Sequence, residues 1–412
     1  SQRSYYKMNT FVQAMLFQAG YNIALVTVGA ILLGIASGTA GTFLFLRKRA
    51  LVSDAIAHAT LPGVGVAFII MIWLGGDGRS LLGLLFGSAI TALIGLFIIE
   101  WIPRRTRLPE DAAIGSVLGV FFGAGIVLLT VIQTMSSGRQ AGLESFLLGS
   151  TAGMLFQDAV VIAIGGFLSI LGIWIARRPL TIVAFDKDYA ISMGYDIRKI
   201  DLLMMGLVLG VTVIGMKLVG LILIVAMLII PAVTARFWSN RTDKVVVIAG
   251  FLGGLSGYIG AVLSASAPSL PTGPIIVLIA IVLFVLSLFL APNSGVFATF
   301  IKHQKTKSYI HRRQGLLTIV KGKNIVSSFT RKLLANEGLS ESNGLTDKGR
   351  KLVTKILIDE NRWIAAKEVY PDKDINIDYG TKPIDETLTK EELMKLDQYI
   401  KSHKFKSITY DY

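Results

Sequence analysis

Cysteine is absent from the 412 residues, which excludes disulfides and thiolate metal centres anywhere in the chain and leaves the redox compartment open. Charge is scarce as well. Only 17% of the residues are charged, against about 25% in an ordinary soluble domain. Hydrophobic residues make up 53% and the mean hydropathy is +0.62, a composition that excludes a cytosolic globular enzyme, a disordered chain and a coiled coil. No G-x-x-x-x-G-K-[ST] phosphate loop occurs, so the chain lacks that cradle for ATP. What charge there is lies unevenly. Residues 1–300 hold 19 Lys/Arg and 12 Asp/Glu, whereas residues 301–412 hold 22 and 15. The expected organisation is therefore a membrane body over 1–300 and a soluble, mostly helical appendage over 301–412. The formal net charge of +14 divides equally between the two parts, and by itself it is no evidence for nucleic-acid binding.

A helix needs about 20 apolar residues to cross the hydrocarbon core. Uncharged runs predict nine spans, at 14–46, 55–74, 80–99, 112–133, 159–176, 202–216, 218–235, 245–264 and 275–291, and the fold class is an all-α polytopic membrane protein. Pro268, Pro271 and Pro274 fall within seven residues and predict a loop between the last two spans. The first apolar run is too long for the h-region of a cleavable signal peptide. Alternate connections are basic: Arg47, Lys48 and Arg49; Arg104, Arg105 and Arg107; Arg177, Arg178, Lys187, Arg198 and Lys199; Arg236, Arg241 and Lys244. The opposite connections hold only Arg79, Arg139 and Lys217, with Arg3 and Lys7 ahead of the first span. By the positive-inside rule the N-terminus is outside and the C-terminus cytoplasmic. Glycines four residues apart (Gly34/Gly38, Gly115/Gly119/Gly123, Gly206/Gly210, Gly250/Gly254 and Gly253/Gly257) predict closely packed helix backbones.

Ionisable groups inside a span are costly and point to function. One pair stands out, Asp54 and His58 in LVSDAIAHATLPG. Four residues apart, they share one helical face about 6 Å apart, and a carboxylate beside an imidazole suits Mn²⁺, Fe²⁺ or Zn²⁺. Pro62 has no N–H and so leaves the His58 carbonyl without its intrahelical partner, freeing one more oxygen. The pair has a second reading, a buried hydrogen-bonded contact that only joins helices. Glu100, Asp158 and Lys217 are expected to be interfacial anchors, and His303, His311 and His403 share no ligand spacing. The loop DKDYAISMGYDIRKI, from Asp186 to Ile200, contains a short helical pattern over Tyr189 to Met193. It suits either an interfacial helix or a docking point for another protein.

Four segments, RKRALVSDAIAHATLPGVGVA, DKDYAISMGYDIRKIDLL, KLVGLILIVAMLIIPAVTARFW and PSLPTGPIIVL, resemble in order the metal-ion ABC permeases, over about residues 14–292. The resemblance implies a bacterial inner-membrane permease that imports manganese, iron or zinc from an extracytoplasmic solute-binding protein. It further implies a second permease subunit, identical or paralogous, and ATP hydrolysis on a separate ATPase subunit, so that the chain itself is no enzyme. It places the metal on Asp54 and His58, and it makes Asp186, Ala190 and Gly194 the coupling loop that meets the ATPase. Manganese is the leading cargo. In the tail, Gly344 to Tyr370 and Ile384 to Ile400 resemble the winged helix and following helices of regulators of the diphtheria toxin repressor type. The repressor metal ligands are not recognisable there and the segment before Gly344 matches poorly, so a regulatory or docking role is expected rather than DNA binding. Two alternatives remain from other classes: an ion-coupled secondary carrier, and a membrane-anchored metal-responsive regulator.

Overall fold

The computed structural model describes residues 13–18, 20–76, 78, 80–135, 156–266, 270–292, 294–341, 344–371 and 379–402. Arg3, Lys7, Arg79, Arg139, Pro268 and His403 lie outside the described residues. The chain divides into two compact units, Ser1–Val296 and Phe297–Tyr412.

Among the described residues the first unit has ten helices: α1 Tyr21–Leu46, α2 Ala50–Trp73, α3 Leu81–Arg105, α4 Glu110–Thr134, α5 Phe156–Phe185, α6 Lys187–Ser192, α7 Ile197–Val219, α8 Leu221–Trp238, α9 Thr242–Ala265 and α10 Thr272–Leu290. Among the described residues eight are long and apolar enough to cross a membrane. The remaining predicted span, 218–235, falls on α8, an apolar helix of 18 residues. The predicted break at Lys217 is displaced. Lys217 belongs to α7, and the chain turns at Gly220, whose φ of +89° is open to glycine at little cost. The first span is shorter than expected, because Gly20 at φ +117° separates α1 from the turn before it.

Local chemistry sets the other boundaries. Pro109 precedes α4, where Glu110 and Asp111 sit in the first turn against the positive end of the helix dipole. Pro271 precedes α10 in the same way. The α1–α2 connection is only Arg47, Lys48 and Arg49, with Lys48 left-handed at φ +58°.

Helix α1 is central and packs on α5, α7, α8 and α9, while α2 packs on α3 and α4. The most extensive seam is α1 on α9. A methyl at Gly34 would lie 2.6 Å from the carbonyl carbon of Gly253, and one at Gly257 would lie 2.7 Å from that of Ala30. The backbones therefore touch as the glycine spacing predicts. The other rows behave differently. Methyls at Gly115, Gly119, Gly123, Gly206 and Gly210 would meet no described atom of the chain within 4 Å. Helices α4 and α10 turn large apolar side chains such as Val120, Val127, Leu278 and Val282 outward, as lipid-facing helices do.

The second unit contains α11 Val296–Val320, α12 Ser328–Asn336, an antiparallel ribbon of β1 Ser340–Glu341 and β2 Gly344–Leu345, α13 Asp347–Val369 and α14 Lys390–Ser402. One cluster gathers Leu316, Leu334, Leu339, Val353, Ile356 and Leu357; a second surrounds Trp363 with Ala366, Ile384, Leu388 and Leu396. Arg313 and Glu360 form a buried ion pair, and the Tyr379 hydroxyl donates to Glu360 Oε2 at 2.8 Å. Burial pushes the Asp359 carboxyl up, although it accepts the Ile384 N–H. The Tyr309 hydroxyl is pushed up to about 12, chiefly by burial and then by the Asp359 charge.

Candidate metal site and its membrane frame

Helix α2 is continuous through Pro62, and it presents Asp54 and His58 on one face. His58 Nε2 lies 3.4 Å from Asp54 Oδ1, with 18% of the His58 side chain and 41% of the Asp54 side chain exposed. The Phe122 ring on α4 packs edge-to-face with the His58 ring at 5.0 Å between centroids and 82° between planes. His58 Nδ1 is buried without a hydrogen-bond partner among the described residues. The separation fits shared coordination: one ion about 2.1 Å from each atom would subtend an angle of roughly 110°, within the tetrahedral range. No third His or carboxylate joins the pair among the described residues. Further ligands would have to be backbone oxygen, water or groups outside this chain, and covalent structure alone leaves the His58 carbonyl free of the missing N–H at Pro62.

The loop residues singled out in the sequence each have a local cause. The Asp186 carboxylate caps α6 by accepting the Tyr189 N–H at 2.9 Å. Ala190 is fully buried beneath the short helix. Gly194 takes φ +81° and ends it, its N–H donating to Ile191 O at 2.9 Å. Asp196 then caps α7 through the Arg198 N–H at 3.0 Å. Tyr189 and Ile191 on α6 and Met193 just after it remain exposed. The spacing of Asp, Ala and Gly is thus cap, buried contact and left-handed stop.

Sequence reasoning missed the ion pairs at the ends of the membrane helices. Arg47 reaches Asp201, Arg49 reaches Glu100 at 2.9 Å and Glu110 at 3.0 Å, and Arg104 holds the other oxygen of Glu100 at 2.7 Å. These pairs bring the α1–α2, α3–α4 and α5–α7 connections to one end of the bundle. At the start of α5, Asp158 lies 3.8 Å from Lys217 at the end of α7. Glu100, Asp158 and Lys217 are thus ion-pair members, a stronger role than the interfacial anchoring expected of them. No period in the sequence signals partners so far apart; a carboxylate at the very edge of a predicted span is the only hint.

Comparison with known proteins fits this arrangement. The ABC 3 transport family matches residues 20–291, from the glycine before α1 to the residue after α10. The chain belongs to the ABC 3 transport family. Among its relatives, the manganese transport system membrane protein MntC of Bacillus subtilis is 42% identical over 299 residues, 72% of this chain and 67% of that protein. The zinc transport system membrane protein TroC of Treponema pallidum is 36% identical over 67% of this chain and 91% of its own length. Among solved structures, PsaBC from Streptococcus pneumoniae in complex with Fab superposes with a TM-score of 0.60 at 31% identity, covering 70% of this chain and 97% of that one. This ABC 3 chain is a multi-pass membrane protein, and residues 292–412 lie beyond the family match.

Proposed function

We propose that the chain is the permease subunit of an ATP-driven ABC importer that moves a divalent transition metal, manganese foremost with iron or zinc as alternatives, into the cytoplasm across a bacterial inner membrane. The observation that carries this reading is a carboxylate and an imidazole 3.4 Å apart on an otherwise apolar membrane helix, in a family member whose relatives are named for manganese and zinc transport. Two such ligands suit a borderline divalent ion, and groups this costly inside a span call for a functional reason.

In this reading an extracytoplasmic solute-binding protein delivers the metal to the bundle, a second permease subunit completes the pathway, and Asp54 and His58 take up the ion midway, with the carbonyl freed by Pro62 beside them. Hydrolysis takes place on a separate ATPase subunit, which docks on α6 through Tyr189, Ile191 and Met193, with Asp186, Ala190 and Gly194 shaping the contact. The excess of basic residues in alternate connections places the N-terminus outside and the C-terminus inside. Residues 301–412 then form a cytoplasmic regulatory or docking module related to metal-dependent repressors.

The test is uptake of labelled Mn²⁺, Fe²⁺ and Zn²⁺ by vesicles holding the chain with its ATPase and binding protein. ATP-dependent uptake that is lost in Asp54→Ala with His58→Ala is the expected result. Uptake that continues without the ATPase overturns the importer reading, and undiminished uptake by the double variant overturns the site.

A further inference from the structure

We propose that Arg47 is the positioning residue that transmits movement of α6 to the helix bearing Asp54 and His58. This rests on the importer reading above and deepens it. Helix α6 is held to the bundle by two attachments, the end of α5 and the start of α7, and the guanidinium of Arg47 binds both. Its Nη1 donates to the carbonyl of Val183, in the last turn of α5, at 2.9 Å. Its Nη2 donates to both oxygens of Asp201, in the first turns of α7, at 2.7 and 2.6 Å. The Arg47 side chain is 6% exposed and that of Asp201 11%. Charge-assisted bonds in so dry a place are short and strong. One planar group therefore fixes the spacing of the two strands of chain from which α6 hangs.

The other end of that group leads directly to the metal pair. Arg47 closes α1, and α2 begins three residues later. At about 1.5 Å per residue, Asp54 lies roughly 6 Å and His58 roughly 12 Å beyond Ala50. The intervening turn is stiff. The N–H groups of Arg47, Lys48 and Arg49 return to the carbonyls of Phe43, Phe45 and Leu44 at 3.0, 2.9 and 3.0 Å, and Lys48 is held left-handed. A displacement of the α5–α7 mount thus moves the start of α2 rather than being absorbed by the turn. Arg49 does a different job. It binds Glu100 on α3 and Glu110 on α4, facing a cavity of about 370 Å³ that Arg47 does not line.

Lysine at position 47 keeps the charge, but as a single point it cannot bridge the Val183 carbonyl and both Asp201 oxygens at once. Asp201 would still have Arg49 Nη1 at 3.9 Å, so the variant retains a counter-charge for its buried carboxylate. The experiment uses the full chain assembled with its ATPase subunit in proteoliposomes, recording ATP hydrolysed and Mn²⁺ taken up in the same sample. Arg47→Lys is expected to keep ATP hydrolysis within about twofold while uptake per ATP falls at least tenfold. Arg49→Lys, which leaves the Arg47 bonds to Val183 and Asp201 in place and touches the α5–α7 mount only at the 3.9 Å approach of Arg49 to Asp201, keeps the wild-type ratio. An unchanged ratio in Arg47→Lys, or hydrolysis and uptake falling in proportion, overturns the proposal. Asp201→Asn supplies a second route to the same readout, and an unchanged ratio there also overturns it. A wild-type assembly that takes up none of Mn²⁺, Fe²⁺ and Zn²⁺ with ATP would instead refute the importer reading, and if Fe²⁺ or Zn²⁺ is the ion taken up, the same ratio is read with that ion.

Discussion

The seam between α1 and α9 makes a quantitative prediction. A methyl at Gly34 would lie 2.6 Å from the carbonyl carbon of Gly253, whereas ordinary contacts of a Cβ are 3.4–4 Å. The obstacle is backbone, so no side chain can swing aside and the helices must part by nearly an ångström. A gap of that size forfeits about a quarter to a half of each dispersion contact along the seam, and overpacking of this kind costs about 1–3 kcal/mol. Gly119 is the control, since a methyl there meets no described atom of the chain within 4 Å. Both substitutions gain the same helix propensity, about 1 kcal/mol over glycine, so the difference between them isolates the steric cost. At about 2–4 °C per kcal/mol, Gly34→Ala should melt roughly 2–12 °C below Gly119→Ala. Because the chain has no cysteine, a single Ala235→Cys, at a fully buried position on α8, reports unfolding of the detergent-solubilised chain through a thiol-reactive dye without background. Equal midpoints, or a higher one for Gly34→Ala, would refute the close approach.

Three further outcomes follow from local geometry. Gly194→Ala forces a left-handed alanine at about 1–2 kcal/mol, and Asp186→Ala removes the α6 cap at about 1 kcal/mol; each should speed amide hydrogen exchange over 187–195 while leaving α9 unchanged. Glu360→Gln leaves Arg313 buried without its counter-charge, a loss of about 3–5 kcal/mol for a broken buried pair, so exchange over 347–369 should accelerate far more than for Arg362→Gln, whose partner Asp397 is more exposed. The Asp359 carboxyl is raised above its ordinary 3.8 by burial, so its contribution to stability is fully present below 3.8 and is lost as pH rises through its folded value. At pH 7 Asp359→Asn, which keeps an acceptor for the Ile384 N–H, should therefore slow exchange in the second unit relative to wild type, and the advantage should vanish near pH 3.

What was legible in the sequence was what is local or what the solvent imposes. Hydrocarbon demands an uninterrupted apolar helix, so the predicted spans meet helices one after another, and an i,i+4 pair such as Asp54 and His58 must share a face whatever the rest of the chain does. The turn at Gly220 was misplaced to Lys217 because charge reads as an end of a span, whereas Lys217 finds Asp158 within the protein and a left-handed glycine actually stops the helix. Arg47 and Asp201 are 154 residues apart, and only the packing of α1 against α5 and α7 brings them together. Basic residues at helix ends thus carry two messages that composition cannot separate, one to the membrane surface about orientation and one to buried carboxylates. Lys48 and Arg49 are adjacent in the same turn, yet Arg49 is shared among Glu100, Glu110 and Asp201 while Lys48 has no such ion pair among the described residues. Neutralising Lys48 should therefore disturb only the orientation signal, whereas neutralising Arg49 should loosen α3 and α4 even in a chain already correctly inserted.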